Sequence, residues 1–208
     1  MESTKTRILK KLLETDGYLS GQELCEQLGV SRTAVWKYMK QLKEEGYEIE
    51  AVQNKGYCLK DVPDVLGESE IKSRLHTRWV GQTLYYYDEI DSTNTQIKRL
   101  AEEDAPHGTL AVADYQSRGK GRRGRAWDSP HGSAIYMSIL FRPEIRPDRA
   151  SMLTLVIGLS VTQAIRSNLG LQAQIKWPND VVLNGKKLVG ILTEMSAQMN
   201  LSLIHISE

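Results

Sequence analysis

A chain of 208 residues has room for one large domain or two smaller ones, with a buried core in either case. Its 40% hydrophobic and 25% charged residues exclude a disordered polymer, and a formal net charge of +1 excludes nucleic-acid binding by bulk charge, so any such binding rests on local patches. Cys25 and Cys58 stand in no metal-binding or CxxC spacing and read as reduced cytoplasmic thiols. The opening residues hold no signal-length apolar run, and the most apolar stretch, 151–170, is broken by Ser160, Thr162, Gln163 and Arg166, which rules out a membrane span.

In chain order, "TRILKKLLETD" places Ile8, Leu9, Leu12 and Leu13 on one helical stripe. A short helix from Gly21 to Leu28 stops at Gly29, and Ser31 caps a second helix running to about Glu45, with Ala34, Val35, Met39 and Leu42 facing inward. Two helices joined by a tight glycine turn form a helix-turn-helix. Ser31, Arg32, Thr33, Trp36, Lys37 and Lys40 fall on the outer surface of the second helix, where a recognition helix meets bases and phosphates. "YEIEAVQNKGYCL" then reads as a hairpin wing with Lys55 at its tip. The near-balanced charge of this unit also suits a protein-interaction module, but DNA affinity follows placed phosphate contacts, and the cations fall on the docking elements. Pro63 and Gly67 mark a linker at 63–67 between a domain at 1–62 and another at 68–208.

The second domain opens with a helix near 68–76 and the strand "TLYYYDEI". Asp91 or Ser92 then caps a helix, and Ser92, Thr93 and Asn94 either serve ordinary capping or hold a polar ligand group at the helix start. "GTLAVADYQ" leads into "RGKGRRGR" (118–125), whose Gly119, Gly121 and Gly124 match G-x-G-x-x-G. A dinucleotide turn must open a helix, whereas "AWDSPHGSAIYMSILF" alternates into another strand, so that reading fails. A nucleic-acid arm belongs at a terminus. What remains is a loop between strands: its glycines permit close approach and movement, and Lys120, Arg122, Arg123 and Arg125 grip an anion. "QIKWPNDVVLNGKKLVGILTE" reads as strand, Asn184-Gly185 turn, strand, pairing Asp180 with Val189 and placing Lys176, Asp180 and Lys187 on one face. His76, His107, His131 and His205 show no metal-ligand spacing, and no metal site is expected.

The order "DSTN", "YQSRGKGRRGRAW", "IKWPNDVVLNGKKLVGIL" resembles the biotin protein ligases, and the amino-terminal segment resembles the bifunctional branch that also represses biotin-synthesis genes. That resemblance implies an α+β fold: a winged helix-turn-helix followed by a mixed-sheet catalytic domain of the class II synthetase-like biotin ligase type. It implies that biotin and ATP, with Mg²⁺, give biotinyl-5′-adenylate. The biotinyl group then passes to a lysine of a biotin carboxyl carrier protein. It further implies a liganded homodimer on operator DNA, with biotin as both substrate and corepressor.

Carried over by motif, Ser92, Thr93, Asn94, Gln116, Lys120, Gly121, Arg122 and Lys187 would line the biotin pocket. Gly119, Arg123, Gly124, Arg125 and Trp127 would belong to the adenylate loop. Arg122, Lys187, Lys176 and Asp180 would serve the chemistry. One departure is Lys120, where the family has arginine, which keeps the charge and loses the fork. The competing expectation is a ligand-sensing regulator without catalysis, against which stands the phosphate-gripping loop. From about Asn200 the segment "LSLIHISE" matches nothing expected of the family. The domain is therefore expected to be incomplete, lacking a core strand and a small carboxyl-terminal domain, and to be poorly active or an inactive fragment of the ligase.

Overall fold

The computed structural model describes residues 3–196 and 201–207, the last stretch by its backbone course alone. The chain divides into two compact units, Met1–His76 and Thr77–Glu208.

In the first unit, α1 (Thr4–Glu14), α2 (Gly21–Leu28) and α3 (Arg32–Glu44) precede a hairpin of β1 (Glu48–Val52) and β2 (Gly56–Asp61). Each helix starts where a small hydroxyl residue caps it: Ser3 accepts from Thr6 N–H, Ser20 from Gln22 and Ser31 from Ala34. Gly29 ends α2 in the left-handed region at φ 67°, which glycine adopts without steric cost. Ile8, Leu9, Leu24, Val35, Met39, Leu42 and Ile49 form the core, so the periodic stripe seen in the sequence is the buried one. Ala34 is only half-buried, and Tyr38 packs against that core beside it. Gly56 has no substitute: at φ 110°, an added Cβ would lie 2.2 Å from Leu19 O, because Leu19 and Tyr57 exchange backbone hydrogen bonds there.

Helix α4 (Glu68–Arg74) belongs to this unit, whereas its sequence position suggested the opening of the second domain. Tyr47 OH donates to Glu70 Oε2 at 2.6 Å and Thr6 Oγ1 to Ser69 Oγ at 3.4 Å, tying α4 to the helical core. Local pattern carries no trace of such tertiary ties.

The second unit is a seven-stranded mixed sheet. Its strands are β3 (Leu84–Ile90), β4 (Leu110–Gln116), β7 (Tyr136–Phe141), β8 (Gln174–Lys176), β9 (Asp180–Leu183), β10 (Lys186–Ser196) and β11 (Leu201–Ser207), and its order is β3-β4-β7-β11-β10-β9-β8. Only β3 and β4 run parallel, as their connection through α5 (Thr93–Glu102) requires. Between β4 and β7 lies a small ribbon of β5 (Gly119–Lys120) and β6 (Ala126–Trp127). Helix α5 packs on β4 and β7, and the long α6 (Ser151–Leu169) packs on β10. No helix among the described residues is long and apolar enough to cross a membrane.

Three expectations need correction. The expected gap after the hairpin is filled: Leu201–Ser207 pairs with both β7 and β10. Asn200 and Glu208 lie outside the described residues, as does the side chain of His205. The hairpin register also differs. Leu183 does pair with Lys186 and Val182 with Lys187 around the Asn184-Gly185 turn, but a bulge between Lys187 and Val189 pairs Asp180 with Gly190, not Val189. Pro178 ends β8, so Lys176 and Asp180 face each other across two strands instead of lying along one.

Candidate functional site

The start of α5 concentrates buried polarity. Ser92, Thr93, Asn94, Gln116, Ser129 and Ser138 are each at most 3% exposed, a density of polar groups that folding tolerates only where hydrogen bonds or a ligand satisfy them. Gln116 Oε1 accepts from both Thr93 N (2.8 Å) and Thr93 Oγ1 (3.1 Å), while its Nε2 donates to Ser129 Oγ at 3.0 Å. Ser138 Oγ donates to Thr93 Oγ1 at 2.9 Å. Ser92 sits at the N-cap without making a side-chain cap bond, and its Oγ, like Asn94 Oδ1, has no partner among the described residues. Ordinary capping therefore does not account for Ser92.

Nor does Asp91 cap the helix. Its Oδ1 accepts from Ser92 N at 2.8 Å, and its Oδ2 pairs with Arg99 at 2.7 Å. Burial pushes this carboxyl up, but the Arg99 and Ser92 hydrogen bonds outweigh that and hold it below the ordinary carboxylate range.

The cationic loop lies beside this pocket as the ribbon β5–β6. Gly119 is demanded by contact, since a Cβ there would stand 2.4 Å from Trp127 O and 2.7 Å from Ser129 Oγ. The tight turn is carried by Arg123 (φ 59°) and Gly124 (φ 72°), while Gly121 N donates to Arg125 O at 2.8 Å. From this ribbon Lys120 Nζ reaches Thr95 Oγ1 at 3.0 Å, and Arg122 Nη1 reaches Asn179 Oδ1 at 2.6 Å. Lys187 Nζ lies 2.8 Å from Asp180 Oδ1 and 4.8 Å from the centre of the Trp127 ring. Arg122, Trp177, Asn179, Ile191 and Thr193 border an open cavity of about 420 Å³.

The fold thus joins Lys120, Arg122, Trp127, Asp180 and Lys187, drawn from a loop and a hairpin some sixty residues apart. Arg123, Arg125 and Lys176 are exposed around them. Sequence reasoning did not single out Asn179, Thr95, Ser129, Ser138 or Glu194. Asn179 lies within the quoted "WPND", but its contact with Arg122 comes from a turn that no periodicity announces.

In the first unit, Ser31, Arg32, Thr33, Trp36, Lys37, Lys40 and Lys55 are all exposed. Trp36 is 60% exposed, with Lys40 Nζ 5.9 Å above its ring, and Lys55 Nζ stands 5.6 Å from the Tyr18 ring. Arg32 Nη2 donates to Gln22 Oε1 at 3.2 Å, beside an open cavity of about 540 Å³ that Asn54 and Lys55 also border. Ser31 is the exception, because its hydroxyl is already engaged in capping α3 at 3.2 Å. A wide exposed aromatic flanked by cations is the surface a helix presents to nucleic acid. Among the described residues no group of three or more His, Cys, Asp or Glu is placed to hold a metal ion.

Residues 4–58 match the HTH domain model. The chain is 48% identical over 200 residues to the bifunctional ligase/repressor BirA of Bacillus spizizenii, covering 95% of this chain and 62% of that protein. It is 36% identical over 188 residues to BirA of Escherichia coli, covering 90% of this chain and 57% of that one. The chain thus spans about 62% or less of the length of these relatives. The biotin protein ligase of Aquifex aeolicus in complex with biotin and ATP superposes with a TM-score of 0.53 at 37% identity, covering 60% of this chain and 51% of that one. Residues 86–207, more than half of the sequence, match the biotin/lipoate A/B protein ligase family, to which this chain belongs.

Proposed function

We propose that the protein activates biotin with MgATP, transfers the biotinyl group to a lysine of a biotin carboxyl carrier protein, and represses biotin-synthesis genes from operator DNA. The observation that carries this reading is that a buried hydroxyl and a buried carbonyl with no partner among the described residues, Ser92 Oγ and Asn94 Oδ1, lie beside a cluster of cations. A ligand with a polar head and an anionic tail suits both halves. The bicyclic head of biotin would enter by Ser92, Thr93, Asn94 and Gln116, with Lys120 and Gly121 closing over it, and its carboxylate would meet Lys187.

Lys187 and Arg122 would then neutralise the charge as a biotin carboxylate oxygen attacks the α-phosphorus and pyrophosphate leaves. This step needs positioning and charge more than a protein nucleophile. Lys176, Arg123 and Arg125 stand exposed nearby and would meet phosphates, and Asp180 would help hold a magnesium ion arriving with the nucleotide, whose charge would offset that of the phosphates. In the second step the carrier's lysine amine attacks the acyl carbon and AMP leaves. The ribbon Gly119–Trp127 covering the mixed anhydride would exclude water. The adenylate-bound form would dimerise in the cytoplasm and bind DNA through Arg32, Thr33, Trp36, Lys37, Lys40 and Lys55, so that biotin is substrate and corepressor together.

Incubation with biotin and MgATP, with product identified by mass, tests the proposal. Biotinyl-5′-AMP should form, if only for a single turnover, and remain bound. Failure of biotin to bind in a calorimetric titration would overturn the reading.

A further inference from the structure

One contact at the start of α5 has no place in the chemistry above. Glu194, on β10, accepts a hydrogen bond through Oε2 from Nδ2 of Asn94, one hundred residues earlier in the chain. Its other oxygen, Oε1, lies 3.1 Å from Nζ of Lys98, which stands one helical turn beyond Asn94 on α5. The carboxylate is thereby held at both oxygens by one helix face. Asn94 is 1% exposed, and its Oδ1 has no partner among the described residues.

A carboxamide has two orientations of nearly equal shape and opposite chemistry, since a half-turn exchanges an acceptor for a donor. A carboxylate only accepts. Beside Glu194 one orientation survives, with the NH₂ group toward the carboxylate and the carbonyl oxygen away from it. We propose that Glu194 is a positioning residue for ligand recognition: it fixes the Asn94 amide so that Oδ1 stays a buried acceptor for an N–H of a cyclic urea. The inference rests on the biotin reading above and adds to it the residue that sets the polarity of the pocket.

Three physical points support it. A buried acceptor left unpaired costs free energy unless something else donates to it, and a cyclic urea brings N–H groups. Ser92 Oγ, likewise buried and without a partner among the described residues, can donate or accept and so complements either a urea carbonyl or its second N–H. Had Glu194 served only to fasten β10 to α5, its pair with Lys98 would do so without consuming the donor half of Asn94.

The test combines calorimetry with side-chain amide NMR on the wild type and on E194A, E194Q and K98A. The ligands are biotin and biotin methylated at either ureido nitrogen, which removes an N–H. The wild type should prefer biotin. E194A should lose about tenfold in biotin affinity, the worth of one hydrogen bond, and much less toward the methylated analogue whose missing N–H faces Asn94, so the preference narrows. E194Q, nearly isosteric and able to accept from Asn94 but also to donate, should recover part of the preference. K98A should keep it. In unliganded ¹⁵N-labelled protein, the Asn94 side-chain amide resonances should shift between wild type and E194Q, a response that a loss of packing elsewhere would not single out. If the wild type binds biotin and the preference is the same in every variant, the inference alone falls. If the wild type binds no biotin although its Asn94 amide responds to E194Q, the biotin reading falls and takes this inference with it.

Discussion

Helices α3 and α5 both begin at a serine, and the two serines do opposite things. Ser31 is exposed, and its Oγ takes the N–H of Ala34 at 3.2 Å. Ser92 is fully buried, caps nothing with its side chain, and leaves Oγ without a partner among the described residues. The first hydroxyl stabilises its own helix. The second lies out of water with no partner among the described residues, an arrangement that suits a ligand supplying the missing hydrogen bond. The same contrast separates the units more broadly: the first is an apolar core with its cations displayed on exposed helix and wing, the second surrounds a pocket of buried polarity with cations.

The largest effects should come from those cations. Lys187→Ala removes the charge facing Asp180 and should lower single-turnover adenylate formation by roughly 10²–10³-fold, the scale of losing one preorganised charge donor. Stability should hardly move, because a partly exposed ion pair contributes about 0–1 kcal/mol. Arg122→Ala should leave adenylate formation measurable but let the intermediate escape faster, read as free biotinyl-5′-AMP in the filtrate. Unchanged retention would count against the ribbon as a lid.

Next in size is Gly119→Ala. Its Cβ would stand 2.4 Å from a backbone oxygen that cannot swing aside, so urea unfolding of the second unit should be weakened by about 1–3 kcal/mol. Gly121→Ala is the control, because its nearest neighbour would be 3.4 Å away, an ordinary contact, and it should change stability by no more than about 0.5 kcal/mol. Equal effects at the two glycines would show that flexibility, not close approach, explains both.

Much of the fold was legible because its signals are local. Gly29 and Ser31 bracket a helix-turn-helix, and Asn184-Gly185, with both residues at positive φ (51° and 78°), makes the expected hairpin turn. The features that escaped depend on contacts far apart in sequence. The attachment of α4 rests on Tyr47 and Glu70, the bulge that shifts Asp180 opposite Gly190 is invisible to strict alternation, and Glu194 meets Asn94 across one hundred residues. Ser92 was ambiguous for another reason. Serine before a helix is among the commonest of caps, and only burial together with a missing hydrogen bond distinguishes the exception. The motifs therefore located the site, and tertiary packing decided what each group in it is free to do.

The two serines can be separated by experiment. Ser92→Ala should lower biotin affinity by about tenfold, equivalent to about 1.4 kcal/mol, and leave the melting temperature unchanged or slightly raised, since an unpaired buried hydroxyl is removed. Ser31→Ala should do the reverse: about 1 kcal/mol less stability for the first unit by urea unfolding, with biotin binding untouched. A destabilised Ser92→Ala variant would mean that its hydroxyl is structural after all.

The smallest effect belongs to Lys37, exposed on α3 beside Trp36. If α3 lies in a DNA groove, Lys37 contributes charge and no base reading, so its loss weakens specific and non-specific DNA alike. Lys37→Ala should reduce the slope of log affinity against log salt by about one unit, with stability changed by less than about 0.5 kcal/mol. Trp36→Ala should leave that slope unchanged while lowering affinity, because an uncharged ring displaces no counterion. A salt slope unaltered by Lys37→Ala in a protein that still binds DNA would move the contact surface off this face of α3, toward the wing at Lys55.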